Sequence, residues 1–127
     1  MLAGLKNSTT DVADFNGAEL GDGRLKILLG NIKCMPGLRS LKLSKNKITD
    51  VGLGYLLGEL EGMEVRTIHL SQNLLTEKSL NLILEAVRAK RFKAQAVSLG
   101  ANNFLPGSKF VKARVLEIKA LGLIITI

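Results

Sequence analysis

The sequence predicts an α/β fold in which short strands alternate with helices and the strand–helix units stack side by side as a solenoid. The first observation is the stretch 38–60, where apolar residues alternate as in a half-buried strand and then recur at helical intervals. The second is that this pattern returns every 27 to 29 residues. One such unit cannot bury both of its apolar surfaces alone, so neighbouring copies must cover them.

The best-defined unit begins with the spacing L-x-x-L-x-L-x-x-N-x-L at 38–48. A Thr49-Asp50 break follows, and leucines then recur at the i, i+3, i+4, i+7 spacing of an amphipathic helix. The positions that define the unit are Leu38, Leu41, Leu43, Asn46, Ile48, Leu53, Leu56, Leu57 and Leu60.

Further copies carry the same pattern on both sides of this unit. Asn73 and Asn102 mark the second and third copies of the asparagine position, and the pattern weakens towards both ends, where Ala18 replaces the asparagine and Lys109 occupies an apolar helix position. The predicted strands lie at 12–15, 39–43, 66–70, 95–99 and 123–127, and the predicted helices at 24–32, 52–60, 77–90 and 109–119. Thr76 is positioned to cap the third helix.

These motifs resemble the leucine-rich repeat family, specifically its long intracellular subtype typified by ribonuclease inhibitor. The resemblance covers roughly residues 12–127 and implies about four repeats, with strands on a concave face and helices on a convex face. It divides the single domain 1–127 into a lead at 1–11, a degenerate repeat at 12–37, repeats at 38–64, 65–93 and 94–121, and the start of a further strand at 122–127. Met1, Leu2 and Leu5 could contribute to a cap over the first repeat.

The asparagine column needs a physical reason, because polar residues recur among apolar ones. A side-chain amide has two donors and an acceptor, which can satisfy backbone groups of its own loop and of the neighbouring unit. The resemblance implies such a ladder at Asn46, Asn73 and Asn102.

Strand residues between the leucines are expected to face away from the core, and in this family the strand face usually receives the partner. With parallel strands in register, Asp14, Lys42, His69, Ser98 and Thr126 should form one row. We therefore predict a partner-binding surface made by strand and loop residues: Asp14, Ser40, Lys42, Lys45, Thr67, His69, Gln72, Ser98 and Asn103.

Catalysis and cofactor binding are not expected. His69 would neighbour Ser98, but a hydrolase also needs a third group that orients the base, and the nearest acid, Asp14, lies two strands away beyond Lys42. One histidine and one cysteine do not make a metal site, and the glycine-rich stretch at 52–62 lacks the Lys-Ser/Thr ending of a phosphate loop. We predict no enzyme activity and no cofactor.

Cysteine content and the N-terminal sequence indicate the compartment. Cys34 is the only cysteine, which excludes an internal disulfide and favours a reducing environment. The first ten residues lack the basic and apolar regions of a signal peptide, so the Asn7-Ser8-Thr9 glycosylation sequon is not expected to be used. We predict a cytoplasmic protein without a transmembrane segment.

The net positive charge lies in the second half of the chain. Residues 1–64 contain eight basic and eight acidic residues, whereas residues 65–127 contain ten and three, which accounts for the whole net charge of +7. A basic patch is predicted at Arg88, Lys90, Arg91, Lys93, Lys109, Lys112 and Arg114. Such a patch could bind RNA or acidic lipid, but aromatic residues for base stacking are few and a solvated helix face is favoured.

The last segment, LGLIITI, is uncharged and prone to form a strand. As an edge strand it would offer unpaired backbone groups to another chain. Two interpretations remain open: the chain is a fragment of a longer repeat array, or two copies pair end to end through this strand.

The sequence as a whole predicts a non-enzymatic protein-binding module. The alternative is anion-dependent binding of RNA or acidic lipid through the basic half.

Overall fold

The computed structural model describes residues 11–105 and 107–127. The predicted cap residues Met1, Leu2 and Leu5 and the Asn7-Ser8-Thr9 sequon lie outside the described residues. Within the described part, five strands and four helices alternate. The strands are β1 (Val12–Asp14), β2 (Ser40–Lys42), β3 (Thr67–His69), β4 (Ala96–Ser98) and β5 (Ile124–Thr126), and the helices are α1 (Gly21–Ile32), α2 (Asp50–Glu59), α3 (Glu77–Arg88) and α4 (Lys109–Ala120).

The strands form one parallel sheet in chain order, from β1 to β5. Each helix packs against the helix of the next unit, so the helices follow the same order as the strands. This arrangement confirms the predicted α/β class and its repeating strand–helix organisation. Among the described helices, none has both the length and the apolar composition needed to cross a membrane.

One continuous aliphatic core fills the space between the sheet and the helices. The middle residue of every strand is buried, because successive side chains of a strand point to opposite faces. Helix leucines and isoleucines from each unit pack against them at the predicted spacing. The buried middle residues of the strands are Ala13, Leu41, Ile68, Val97 and Ile125.

Several elements differ from their predicted limits; α2, for example, spans Asp50–Glu59 rather than 52–60. Each strand has three residues rather than four or five. Leu43 and Leu70 directly follow β2 and β3, are buried, and still donate their N–H groups to His69 O and Ser98 O of the next strand at 2.8 Å. Helix α1 begins at Gly21, before the predicted residue 24, and its N-cap Leu20 makes no side-chain capping bond that the sequence could have signalled.

Helix α3 ends at Arg88, although the sequence predicts helix through residue 90. Lys90 has a left-handed backbone with φ of 56°. The N–H of Lys90 donates to Val87 O at 3.1 Å, and the N–H of Arg91 donates to Ala86 O at 3.1 Å. This is a Schellman motif, in which a lysine occupies the position that glycine usually takes.

Candidate functional site

The strand face consists of the side chains that flank the buried middle residue of each strand. The strand register aligns them in two rows across all five strands. One row contains Val12, Ser40, Thr67, Ala96 and Ile124, and the other contains Asp14, Lys42, His69, Ser98 and Thr126. The second row is the one that the sequence spacing predicts.

The chemistry of the strand face changes from one end of the sheet to the other. Asp14 is exposed at β1, and Lys42, His69 and Ser98 are half-buried on the three central strands. The hydroxyl of Thr67 donates to the Ser40 hydroxyl at 2.8 Å and so links β3 to β2. At β5 the face adds an aliphatic side chain, Ile124, which is 65% exposed, beside the exposed Thr126. The face therefore offers charge at one end, hydrogen-bonding groups in the centre and an aliphatic contact at the other end.

The loops that follow the strands carry the other predicted contact residues. Lys45, Gln72 and Asn103 are exposed. Lys45 and Gln72 have positive φ values of 61° and 56°, as does Ala101 in the next unit at 57°. Each of the three directly precedes an asparagine of the ladder column. A left-handed backbone is unfavourable for a residue other than glycine, so the bonds of that asparagine must hold the loop in place.

Asn46, Asn73 and Asn102 tie each loop to the unit before it. The Oδ1 atom of Asn73 accepts the N–H groups of Asn46 at 2.9 Å and Ile48 at 3.0 Å. Its Nδ2 atom donates to Leu43 O at 3.0 Å in the preceding unit and to Leu70 O at 3.0 Å in its own unit. Asn46 and Asn102 make corresponding bonds, and Asn46 and Asn73 are buried. These bonds fix the loops beside the strand face.

A second set of bonds between units was missed by the sequence analysis. It joins the first-turn aspartate of one helix to the N-cap threonine of the next. Asp22 accepts the N–H of Thr49 at 2.9 Å and also the Thr49 hydroxyl. Asp50 accepts the N–H of Thr76 at 2.9 Å and its hydroxyl at 2.5 Å. Asp22 and Asp50 recur near the repeat spacing, as do Thr49 and Thr76, so the spacing marks these positions as part of the repeat, but it does not show that they bond to each other.

Asp50 has the most bonds of these carboxylates, since the hydroxyl of Ser79 also donates to it. Partial burial acts to raise the pKa of Asp50, but the hydrogen bonds from Ser79 and Thr76 outweigh it and hold the pKa below its usual value. The ionised form of Asp50 is therefore the form that the fold stabilises.

The predicted basic patch is partly neutralised. Arg88 forms an ion pair with Glu117 at 2.9 Å, and Arg114 also contacts Glu117. Lys93 pairs with Glu64 at 2.9 Å. The bond from Lys93, together with its positive charge, holds the pKa of Glu64 below its usual value. These three cations are therefore less available to an external anion.

The other four predicted basic residues are exposed and make no ion pair within the described part of the chain. Lys90 and Arg91 lie just after α3, whereas Lys109 and Lys112 lie in the first turn of α4. Asn81 near the start of α3 bonds Arg114 of α4, and Arg88 at its end pairs with Glu117 further along α4, so the two helices run in the same direction. The structure thus places these four cations in two groups near opposite ends of the helices.

The geometry around His69 does not form a catalytic triad. Its direct neighbours in the row are Lys42 and Ser98, and Asp14 lies beyond Lys42. Over residues 11–105 and 107–127, no group of three or more His, Cys, Asp and Glu side chains could hold a metal ion. Cys34 is exposed.

Comparison with known proteins identifies similarity at the level of fold. No protein-family model matches the chain, and no curated protein does. Among solved structures 24 chains match, and one of them is described as Leiomodin-1 Actin-Binding Site 2. It superposes with a TM-score of 0.76 and 15% sequence identity over 98% of this chain and 75% of that chain. The shared feature is the fold of alternating strands and helices.

Proposed function

We propose that this chain is a leucine-rich repeat solenoid that acts as a non-enzymatic protein-binding module, with its partner lying across the strand face and the adjoining loops. The observation that carries the proposal is the pair of rows across five strands, with polar side chains in the centre and an exposed isoleucine at one end. The repeated L-x-x-L-x-L-x-x-N-x-L spacing and the bonds of its asparagines support the family assignment.

The shape of the face favours a macromolecular partner. Five strands span four gaps of about 4.8 Å, so the face is roughly 19 Å wide before the loops are added. An open surface of this width suits a protein interface, whereas small ligands are generally held in concave pockets that bury most of their surface. The similar solved structure is described as an actin-binding site, which also favours a protein partner.

Site-directed photo-crosslinking tests this proposal. A photoreactive residue at Ser98 would be introduced into the chain, and partners would be captured in an extract of the source cell. We expect a discrete crosslinked protein whose yield falls when Lys42 and His69 are both changed to glutamate. Capture that is unaffected by this double change would contradict binding at the strand face. Actin is a suitable first purified partner because of the similar structure.

The second candidate function is anion-dependent binding of RNA or acidic lipid. It is favoured by Lys90, Arg91, Lys109 and Lys112, which are exposed and form no ion pair within the described residues. Measuring the affinity at increasing salt concentration separates the two functions. RNA and acidic lipid are bound through phosphate groups, and each phosphate contact makes the affinity fall more steeply as the salt concentration rises. A partner held mainly by the strand face should show a shallow dependence.

We further propose a cytoplasmic location, which is supported by the single cysteine. Self-association through β5 also remains a proposal. Its support is the edge position of β5 in the sheet and the exposure of Ile124 and Ile127 at 65% and 47%.

A further inference from the structure

The outer flank of α4 is the side of that helix that faces away from α3. Arg114 and Glu117 define the side facing α3, because they contact Asn81 and Arg88. Residues advance by about 100° around a helix, so Lys112 and Lys119 lie about 200° from Arg114 and Glu117, on the opposite side. We name this opposite side, with Val115 and Leu116, the outer flank.

The outer flank is apolar at its centre and cationic at both ends. An open groove of about 400 Å³ is lined by Val111, Lys112, Val115, Leu116 and Ile127. Leu116 is 67% exposed, although the other leucines of the helix layer mostly lie in the core. Lys112 and Lys119 stand one turn to either side of Leu116, and neither forms an ion pair with a described residue.

The helix contacts inside the protein indicate what such a flank accepts. Lys33, just after α1, pairs with Glu59 of α2 at 2.8 Å, and Arg88 at the end of α3 pairs with Glu117 of α4 at 2.9 Å. In these two of the three helix–helix contacts, the earlier helix supplies the cation near its end and the later helix supplies the glutamate. Between the units of α2 and α3 the order is reversed, because Glu64 after α2 pairs with Lys93 after α3. Lys119 provides the corresponding cation in the last turn of α4. A helix that packs on α4 in the same manner would place an acidic residue beside Lys119.

We propose that the outer flank of α4 binds an amphipathic helix of a partner protein that carries acidic residues beside its apolar stripe. The apolar stripe fits Val115, Leu116 and Ile127, and the acidic residues pair with Lys112 and Lys119, in the manner of helix-in-groove recognition. A second copy of this chain is a poorer occupant. A twofold arrangement would oppose the lysines of the two copies. A head-to-tail arrangement would bring the groove on α1 to the flank, and that groove offers one acidic residue, Asp14, together with the cation Arg24 rather than two acidic residues.

The proposal goes beyond the strand-face function proposed above, because it concerns the flank of α4, which shares only Lys112 with the second candidate function and Ile127 with the proposed self-association. Its test uses a fluorescent amphipathic peptide of about 14 residues, long enough for nearly four helical turns, with leucines at i, i+3, i+4 and i+7 and glutamates beside them. The matched peptide has lysines in place of the glutamates. We expect the acidic peptide to bind with a dissociation constant below about 100 μM and the basic peptide to bind at least about tenfold more weakly.

Variants of the chain locate the binding. Lys112→Glu with Lys119→Glu should weaken acidic-peptide binding by about tenfold or more, because two favourable charge contacts become repulsive. The control Lys78→Glu with Lys90→Glu makes the same change in net charge at exposed positions away from the flank and should change the affinity less than about twofold. All four lysines are exposed, so the variants should fold, and circular dichroism checks this.

Several outcomes would overturn the proposal. The first is that the chain does not bind the acidic peptide up to about 1 mM. The second is that it binds the acidic and basic peptides with equal affinity, and the third is that the control variant loses as much affinity for the acidic peptide as the flank variant does. If the chain does not bind the peptide but forms a dimer that Leu116→Glu abolishes, the flank would be assigned to a second copy. Binding to anionic vesicles with no binding of the peptide would assign it to a membrane surface. The strand-face variant Lys42→Glu with His69→Glu should bind the peptide normally, so failure here is distinct from failure of the proposed function.

Discussion

At the scale of single residues, Asn73 is the side chain on which two adjacent loops depend. Its amide bonds backbone groups in its own unit and in the unit before it, and it is buried. Asn73→Ala should lower the free energy of unfolding by roughly 1–3 kcal/mol, because buried backbone groups would lose their partners. Chemical denaturation measures the change.

Asn103 provides the matched control. It is exposed, and no hydrogen bond of its side chain is found within the described residues. Asn103→Ala should therefore change stability by less than about 0.5 kcal/mol. Equal stabilities for the two variants would show that the asparagine column reflects only a preference of surface turns.

The second residue-scale prediction concerns pH. Asp50 has a folded-state pKa held below its ordinary value of 3.8 by hydrogen bonds from Ser79 and Thr76 that outweigh its burial. A lowered folded pKa means that its contribution is complete above the unfolded pKa and is lost as pH falls through the folded pKa. The stability difference between the protein and Asp50→Asn should therefore be constant from about pH 7 to pH 5 and shrink below about pH 4.

Urea denaturation of both forms at several pH values tests this prediction. A difference that stays constant down to about pH 3 would mean that the charge of Asp50 does not stabilise the fold.

At the scale of elements, two glycines of α2, Gly52 and Gly54, have different surroundings. A Cβ atom at Gly52 would clash with the Asp22 carboxylate and lie 2.8 Å from Cγ2 of Ile48, whereas a Cβ at Gly54 would meet nothing within 4 Å. Gly52→Ala should therefore destabilise the protein by about 1–3 kcal/mol through overpacking. Gly54→Ala should stabilise it by about 1 kcal/mol, because alanine is the better helix former.

Thermal denaturation of the two alanine variants checks the sign of each effect. If both alanine variants were more stable than the unaltered protein, the Asp22 carboxylate could move away from Thr49 without a loss of stability. The bond between Asp22 and the N-cap of α2 would then have no structural importance.

The elements also show how much the sequence could predict. The strand–helix order, the parallel α/β class and the register could be inferred because Leu41, Ile68 and Val97 repeat in a strict apolar pattern. The contacts of Asp22 and Asp50 could not, since an aspartate in a first helical turn already has an ordinary role beside the helix dipole. Their bonds to the next unit depend on how closely the helices approach, which the pattern does not specify.

The candidate site was predictable in part for the same reason. Alternation along the strands identifies which side chains leave the core, so the row with Lys42 and His69 follows from the spacing. The pairing of Arg88 and Arg114 with Glu117 does not follow from it, because the three residues come from different turns of two helices. The left-handed backbone of Lys45 and Gln72 also has no local sequence signal, since neither is glycine or asparagine.

At the scale of the whole molecule, the first prediction concerns self-association. Strand β5 lies at the edge of the described sheet, and Ile124 in it and Ile127 directly after it are exposed. An uncharged edge strand favours pairing with another chain, so we expect a concentration-dependent increase in mass above the monomer's 13.7 kDa. Light scattering at micromolar concentration measures it. A monomer that stays soluble throughout would contradict pairing through β5.

The central claim is that a partner protein binds the strand face, and the affinity of two charge-altered variants tests it most directly. Lys42→Glu with His69→Glu changes the centre of the face, whereas Lys90→Glu with Arg91→Glu changes exposed cations after α3. Calorimetry with the captured partner should show affinity at least about tenfold lower for the first pair and within about twofold of the unaltered protein for the second. Full binding by the first pair together with loss in the second would contradict the claim and move the site to the basic residues beside the helices.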